Sequence, residues 1–475
     1  MHMKRVHLTL FLILNVILAS GQPLKKSVTW DNIRNHPAPL PVIGELVTTP
    51  SSLDRPSLWS VGCETLDRDY ADFDKFYQYM GETGVGYARL QSGWAKSEPK
   101  KGKYDFAWLD RHVDGLISQG IHPWLCLCYG NPLYTDGGKD LNARLFGDGP
   151  VMDAWLKYVR QVVKRYKGKV TMYEVWNEPD GASNKEDYPL MFARTASAIK
   201  EVDPEAKVAA FGAAYSVNTD YFKKGMQRIA ELGAAEHVDY VTYHAYWPHP
   251  ERLIPFIKKL AEDIREVNPN TVLLQGESGC PSRLEYGHAM KFKEWTEYSQ
   301  VKWDLRHMLM NFSLGVPSSV FTMVDLHYKD YMIQSFGLMC TNLKSVPQYK
   351  RPKFYGVQHL TSTITSECKA CNAFEFVGSS TKEDITVVGV EKNGKASGIL
   401  IWLSGEEPTS SLVRNMVDVN LKGTVLNDPV YVDLVTGYVH EFKGVEKRFD
   451  GMRLVQLPIW DAPVLIVERS EVNFK

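Results

Sequence analysis

Val170-Thr171-Met172-Tyr173-Glu174-Val175-Trp176-Asn177-Glu178-Pro179-Asp180 is a short, mostly apolar run closed by a carboxylate and a proline. Proline lacks the N–H that a strand ladder needs, so Pro179 ends the strand and leaves Glu178 at its final turn. The run is one of eight. Residues 59–63, 86–90, 122–128, 170–176, 207–212, 238–243, 271–276 and 318–324 all read as short strands. Between them lie helical runs such as 106–119, 152–166, 253–267 and 295–312, with apolar residues at three- and four-residue spacing. Strand alternating with helix is the pattern of βα units around a parallel sheet. About 38 residues per unit over 58–365 suits an α/β fold of the (β/α)8 TIM-barrel type carrying a few long loops. An open doubly wound sheet is the alternative, but it would carry a Gly-x-Gly-x-x-Gly phosphate turn after its first strand, and this sequence has none.

After residue 366 the helical periodicity stops. Short alternating runs at 384–390, 397–403, 417–421, 430–434, 453–457 and 463–467, separated by turn residues, predict a C-terminal antiparallel β-sandwich over 366–475. Residues 22–57 form a proline-rich N-terminal extension whose apolar stretch, 40–47, either adds a strand to the sandwich or lies across the barrel.

The chain is 44% hydrophobic and 23% charged, which suffices for a full core and rules out a disordered or fibrous protein. Lys plus Arg is 55 against Asp plus Glu 56, without a basic run or stripe, so nucleic acid is not an expected partner. Residues 1–21 read as a signal peptide: Lys4 and Arg5 come first, then an apolar run over 8–18, then Ala19-Ser20-Gly21. Eleven residues fall short of the roughly 20 that a membrane span requires, so the mature chain is expected to begin near Gln22 without a span and to be secreted or periplasmic. The seven cysteines are too few and too scattered for a disulfide scaffold. Cys368-x-x-Cys371 has no second Cys or His pair at ligand spacing, so a local disulfide or two ordinary thiols is expected, with no metal and no cofactor.

In an eightfold barrel the chemistry sits at the carboxyl ends of the strands. Glu178 closes strand four, and Glu277 closes strand seven in Thr271-Val-Leu-Leu-Gln-Gly-Glu277-Ser-Gly279, where flanking glycines let the backbone turn. The 99 residues between them match three βα units, which puts both at one barrel mouth. Paired carboxylates across a cleft are what glycosidic cleavage needs: one protonates the leaving oxygen while the other supports an oxocarbenium-like centre.

Trp176-Asn177-Glu178-Pro179 with Gly276-Glu277 resembles the retaining (β/α)8 glycoside hydrolases of clan A, and Glu98-Pro99-x-x-Gly102-x-Tyr104-Asp105-Phe106 is similar to families 39 and 42 of that clan. The resemblance implies that Glu178 is the acid/base, Glu277 the nucleophile and Asn177 the partner of the sugar 2-hydroxyl. It also implies that Arg89, ending strand two, lies near the nucleophile, and that His244 and Tyr246 after strand six contact the sugar and the nucleophile.

Residue parity independently places Arg89 inside the barrel, with Glu174 as a structural partner and Glu277 as a functional one. A cation there would keep Glu277 ionised, while nearby negative charge would help keep Glu178 protonated. Trp94, Trp176 and Trp247 offer flat faces to a sugar ring or pack in the core. Asn131 and Asp325 lie at the rim, as substrate contacts or as caps. Glu64 and Asp67 follow strand one without any sign of where they point.

The expected function is that of a secreted retaining glycosidase acting on a carbohydrate substrate. A non-catalytic carbohydrate-binding protein on the same barrel is the alternative, although it has no reason to keep both carboxylates. A metal-dependent barrel hydrolase would want a His-x-His at a strand end, and none is present.

Overall fold

The computed structural model describes residues 24–135, 138, 143–215, 218–328 and 332–475; the expected signal peptide lies outside them. Eight parallel strands form a closed barrel: Trp59–Cys63, Tyr87–Gln91, His122–Leu127, Met172–Val175, Lys207–Ala213, Tyr240–Tyr243, Val272–Ser278 and Ser318–Val320. They are numbered one to eight here in that order. Closure comes from strand eight, whose Ser318 and Val320 pair with Trp59 and Val61 of strand one. The expected strand at 318–324 is shorter, since the ladder ends at Val320 and the chain leaves for two small hairpins, Leu326–His327 with Ile333–Gln334 and Met339–Thr341 with Pro347–Lys350.

Helices cover the barrel with one apolar stripe each. In Gly149–Tyr166 the buried residues Met152, Trp155, Val159, Val162 and Tyr166 recur at three- and four-residue steps. Glu297–Ser313, started by a capping box between Thr296 and Ser299, is buried on nearly every side. The barrel covers one face and the C-terminal sandwich the other. Polar side chains on the second face are therefore matched: Arg306 donates from Nε and Nη2 to Glu251 at 2.8 and 2.6 Å and from Nη1 to the Glu406 carbonyl, and Lys302 meets Asp461. Trp402 of the sandwich donates to the same Glu251, 2.7 Å.

The sandwich packs a seven-stranded antiparallel sheet on a four-stranded one. Its larger sheet begins with a strand from the N-terminal extension: Val42–Glu45 pairs with Tyr438–Glu441, and Val47 donates to the Asn473 carbonyl. Cys368–Cys371 is a strand, not a turn. Residues three apart on a strand point to opposite faces, which excludes the local disulfide, and both thiols are free.

Among the described residues, no helix is long and apolar enough to cross a membrane.

Candidate active site

Strand four delivers Glu178 through an unusual backbone. Trp176 and Glu178, neither of them glycine, have φ of 70° and 51°, a left-handed conformation that survives where its surroundings impose it. Here they do. The Trp176 N–H bonds to the Leu127 carbonyl of strand three and the Glu178 N–H to Gly212 of strand five, 3.0 Å each. Asp180 accepts from the backbone N–H groups of Ala214 and Tyr215. The Trp176 ring packs edge-on against Tyr129, Phe146 and Trp155.

On strand seven the glycines serve close approach rather than a turn. A Cβ on Gly276 would stand 3.2 Å from Thr242 and 3.3 Å from His244 Nε2, and one on Gly279 would stand 2.2 Å from the Phe321 carbonyl oxygen. Glu277 thus reaches the mouth with strand six packed directly alongside.

The two glutamates meet there. One ligand-type atom from each of Glu178, His244 and Glu277 lies within 4.8 Å of the other two, and among the described residues this is the one such trio. A small cation would fit between them geometrically. His244 Nδ1 is 3.3 Å from Glu178 Oε1 and 3.8 Å from Glu277 Oε2. Tyr246 donates its hydroxyl to Glu277 Oε1 at 2.7 Å. Arg89, fully buried, donates from Nη1 to Glu277 Oε2 at 2.8 Å, from Nε to Glu174 Oε2 at 2.9 Å, and from Nη2 to the same Glu174 oxygen and to Asn177 Oδ1. Its structural and functional pairings exist together. Asn177 Nδ2 in turn donates to the Tyr129 hydroxyl, 2.8 Å.

Burial and charge pull the carboxyls apart. Glu178 is pushed up to about 8, first by burial and then by the charge of Asp180, against the opposing pull of Arg89 and Arg68. Of the nearby negative charges, Asp180 contributes most to this rise and Glu174 less. For Glu174 burial acts upward as well, but Arg89, His244 and the hydrogen bonds from Thr242 and Arg89 outweigh it and hold the group below its ordinary value. Burial lowers His244, which favours the neutral imidazole.

The other expected contacts are held by partners of their own or lie exposed. Trp94 is fully buried, stacked on Tyr134 and Tyr158 with its indole N–H on Glu98, because Gly93 in the left-handed region turns it into the core. Asn131 spends its amide on the carbonyls of Glu98 and Trp94 and its oxygen on the Leu133 N–H, so it ties loops together. Asp325 is locked to Arg351. Trp247, directly after Tyr246, is 45% exposed on the surface, held by its carbonyl to Trp303.

Three residues were not anticipated as site members. Tyr129 joins Asn177 and Gln91. Arg68 lies over the Tyr70 and Tyr129 rings and donates to Gln91. Glu64 is buried beside Arg89. Its only signal in the sequence was a place just past the end of strand one.

Residues 62–265 match the model of glycosyl hydrolases family 39. A beta-xylosidase of Geobacillus stearothermophilus is 26% identical over 163 residues, 30% of this chain and 31% of the relative. Beta-galactosidase BbgII of Bifidobacterium bifidum is 35% identical over 136 residues, 24% of this chain and 20% of the relative. The aligned part therefore spans less than a third of the length of these curated relatives. Among solved structures, a family 39 glycoside hydrolase from the gut symbiont Bacteroides cellulosilyticus WH2 superposes with a TM-score of 0.64 at 16% identity, covering 88% of this chain and 82% of that one, a likeness in fold. Motifs, barrel and family match agree: the chain resembles the (β/α)8 glycoside hydrolases of clan A, and family 39 is the family whose model it matches.

Proposed function

We propose that this chain is a secreted retaining O-glycosidase that cleaves oligo- or polysaccharides by double displacement. The observation that carries this reading is the meeting of Glu178 and Glu277 at the barrel mouth with carboxyl oxygens within 4.8 Å. Retaining pairs stand about 5 to 5.5 Å apart, which leaves no room for a water between sugar and carboxylate, so one carboxylate attacks directly. Glu277, oriented by Arg89 and Tyr246, attacks the anomeric carbon while Glu178 gives its proton to the departing oxygen. Glu178 then takes a proton from the water that releases the sugar. Asn177 has one amide hydrogen on Tyr129, which leaves the other for the sugar 2-hydroxyl. The apolar run over 8–18 behind Lys4 and Arg5 supports export. Xylosides and galactosides, named for the two curated relatives, are the first substrates to try.

The test is a panel of aryl and natural glycosides with purified protein, with the first-formed anomer of the product followed by NMR. Retention is expected; inversion, or an inert protein, overturns the reading. The pH profile adds a second check. An acid held at about 8 is protonated below that value, so kcat/KM is expected to hold through neutrality and fall as pH rises past about 8. Glu178→Ala is expected to remove that limb and slow poor leaving groups by roughly 10²- to 10⁴-fold. Bond cleavage of 2,4-dinitrophenyl glycosides, whose leaving group needs no proton, is expected to suffer far less.

A further inference from the structure

Glu64 directly follows strand one, and its carboxyl folds back over that strand. Its space exists because residue 62 is glycine, where a Cβ would lie 2.1 Å from Glu64 Oε2. The residue is 2% exposed yet poorly satisfied. Arg89 Nη1 is 3.5 Å from Oε1 and Thr322 Oγ1 is 3.4 Å from Oε2, at the outer limit of hydrogen bonding, and its own backbone N–H is the remaining donor.

Each neighbour is committed elsewhere. Arg89 Nη1 serves Glu277 at 2.8 Å, the Thr322 hydroxyl serves the Gly62 carbonyl at 2.7 Å, the Tyr246 hydroxyl serves Glu277, and the Cys63 thiol meets Met80. A buried carboxyl has four acceptor positions, and buried polar groups in native proteins are rarely left short of partners. Glu64 shares Arg89 Nη1 with Glu277 and feels its charge, and Glu277, 11% of whose side chain is exposed, is where a substrate would arrive.

We propose that Glu64 is a substrate-binding residue whose carboxyl grips a free hydroxyl on the sugar ring that faces Glu277. The proposal rests on the glycosidase reading above. Burial, then the charge of Glu277, push Glu64 up to about 8 against Arg89, so at neutral pH it is a carboxylic acid that donates one bond and accepts another. A sugar hydroxyl, itself donor and acceptor, complements both. The site thereby selects glycosides unsubstituted at that position.

The test pairs enzyme variants with monodeoxy analogues of the best aryl glycoside. In the wild type, removing one particular hydroxyl is expected to lower kcat/KM by roughly 10²-fold or more, since a site built to bond a hydroxyl rejects the analogue lacking it. In Glu64→Ala the parent substrate is expected to fall to a similar level. Deleting that same hydroxyl should then cost less than about threefold more, while every other deletion costs the same in both proteins. Glu64→Gln, a neutral isostere that still donates and accepts, is expected to stay within about tenfold of wild type and to keep the wild-type response to that deletion; Glu64→Met, which fills the space without a polar group, carries the comparison if the alanine variant does not fold. A uniform loss across all analogues would assign Glu64 a structural role and overturn the proposal. A wild type inert on every glycoside would instead fail the glycosidase reading itself, a different outcome in the same experiment.

Discussion

Glu277→Ala is expected to lose roughly 10⁵-fold or more in kcat/KM on aryl glycosides, because under the proposed double displacement it removes the atom that would form the covalent bond. The fold should survive. Arg89 keeps two bonds to Glu174 and one to Asn177, and Tyr246 sits near enough to the surface to find water. Thermal unfolding is therefore expected within a few degrees of wild type. Azide or formate, small anions that fit the vacated space, should restore part of the turnover, and azide should leave a glycosyl azide of inverted configuration, since it attacks from where the carboxylate stood. Hydrolysis at the wild-type rate would remove Glu277 from the mechanism.

Arg89→Met is expected to damage both stability and chemistry. One guanidinium serves Glu174, Glu277 and, distantly, Glu64, all buried. Removing one partner of a buried ion pair costs about 3–5 kcal/mol, because the other charge is stranded. Lysine is no substitute, since a single ammonium cannot reproduce a planar fork that reaches Glu174, Asn177 and Glu277 together. The loss should depend on pH in a defined sense. Glu174 is held below its ordinary value of 4.5 in the folded protein, so its stabilising contribution is present above that pH and is lost as pH falls through the folded value. Urea unfolding should accordingly show the wild-type advantage at neutral pH and a shrinking one below about pH 4.5. An advantage that grows on acidification would contradict the assignment.

Much of this was legible in the residues because a barrel writes its site in a simple code, a polar side chain closing an apolar strand. Glu178, Glu277 and Arg89 were found by it, and parity on strand two was enough to turn Arg89 inward, whereas His244 and Tyr246 were named through the resemblance to clan A. The code fails once the chain leaves the ladder. Trp94 and Asn131 sit on segments beyond strand ends, where direction depends on one left-handed glycine and on loop carbonyls that only the folded chain brings near. Glu64 lies one residue past its strand, and the vacancy that admits its carboxyl is the missing side chain of Gly62, visible only in three dimensions. The hairpins after strand eight have strands of two to four residues, too short for alternation to register. Gly276 and Gly279 were recognised as meaningful for the wrong reason: neither has a positive φ, and both are small so that neighbours can touch.

The helix Glu297–Ser313 is hidden from water by the barrel on one side and the sandwich on the other, and its charged groups find counterparts across that seam. The C-terminal region is consequently no detachable appendage. A chain cut near residue 365 would present Lys302 without Asp461 and Arg306 without the Glu406 carbonyl, so truncation there is expected to destabilise the barrel rather than release an intact module.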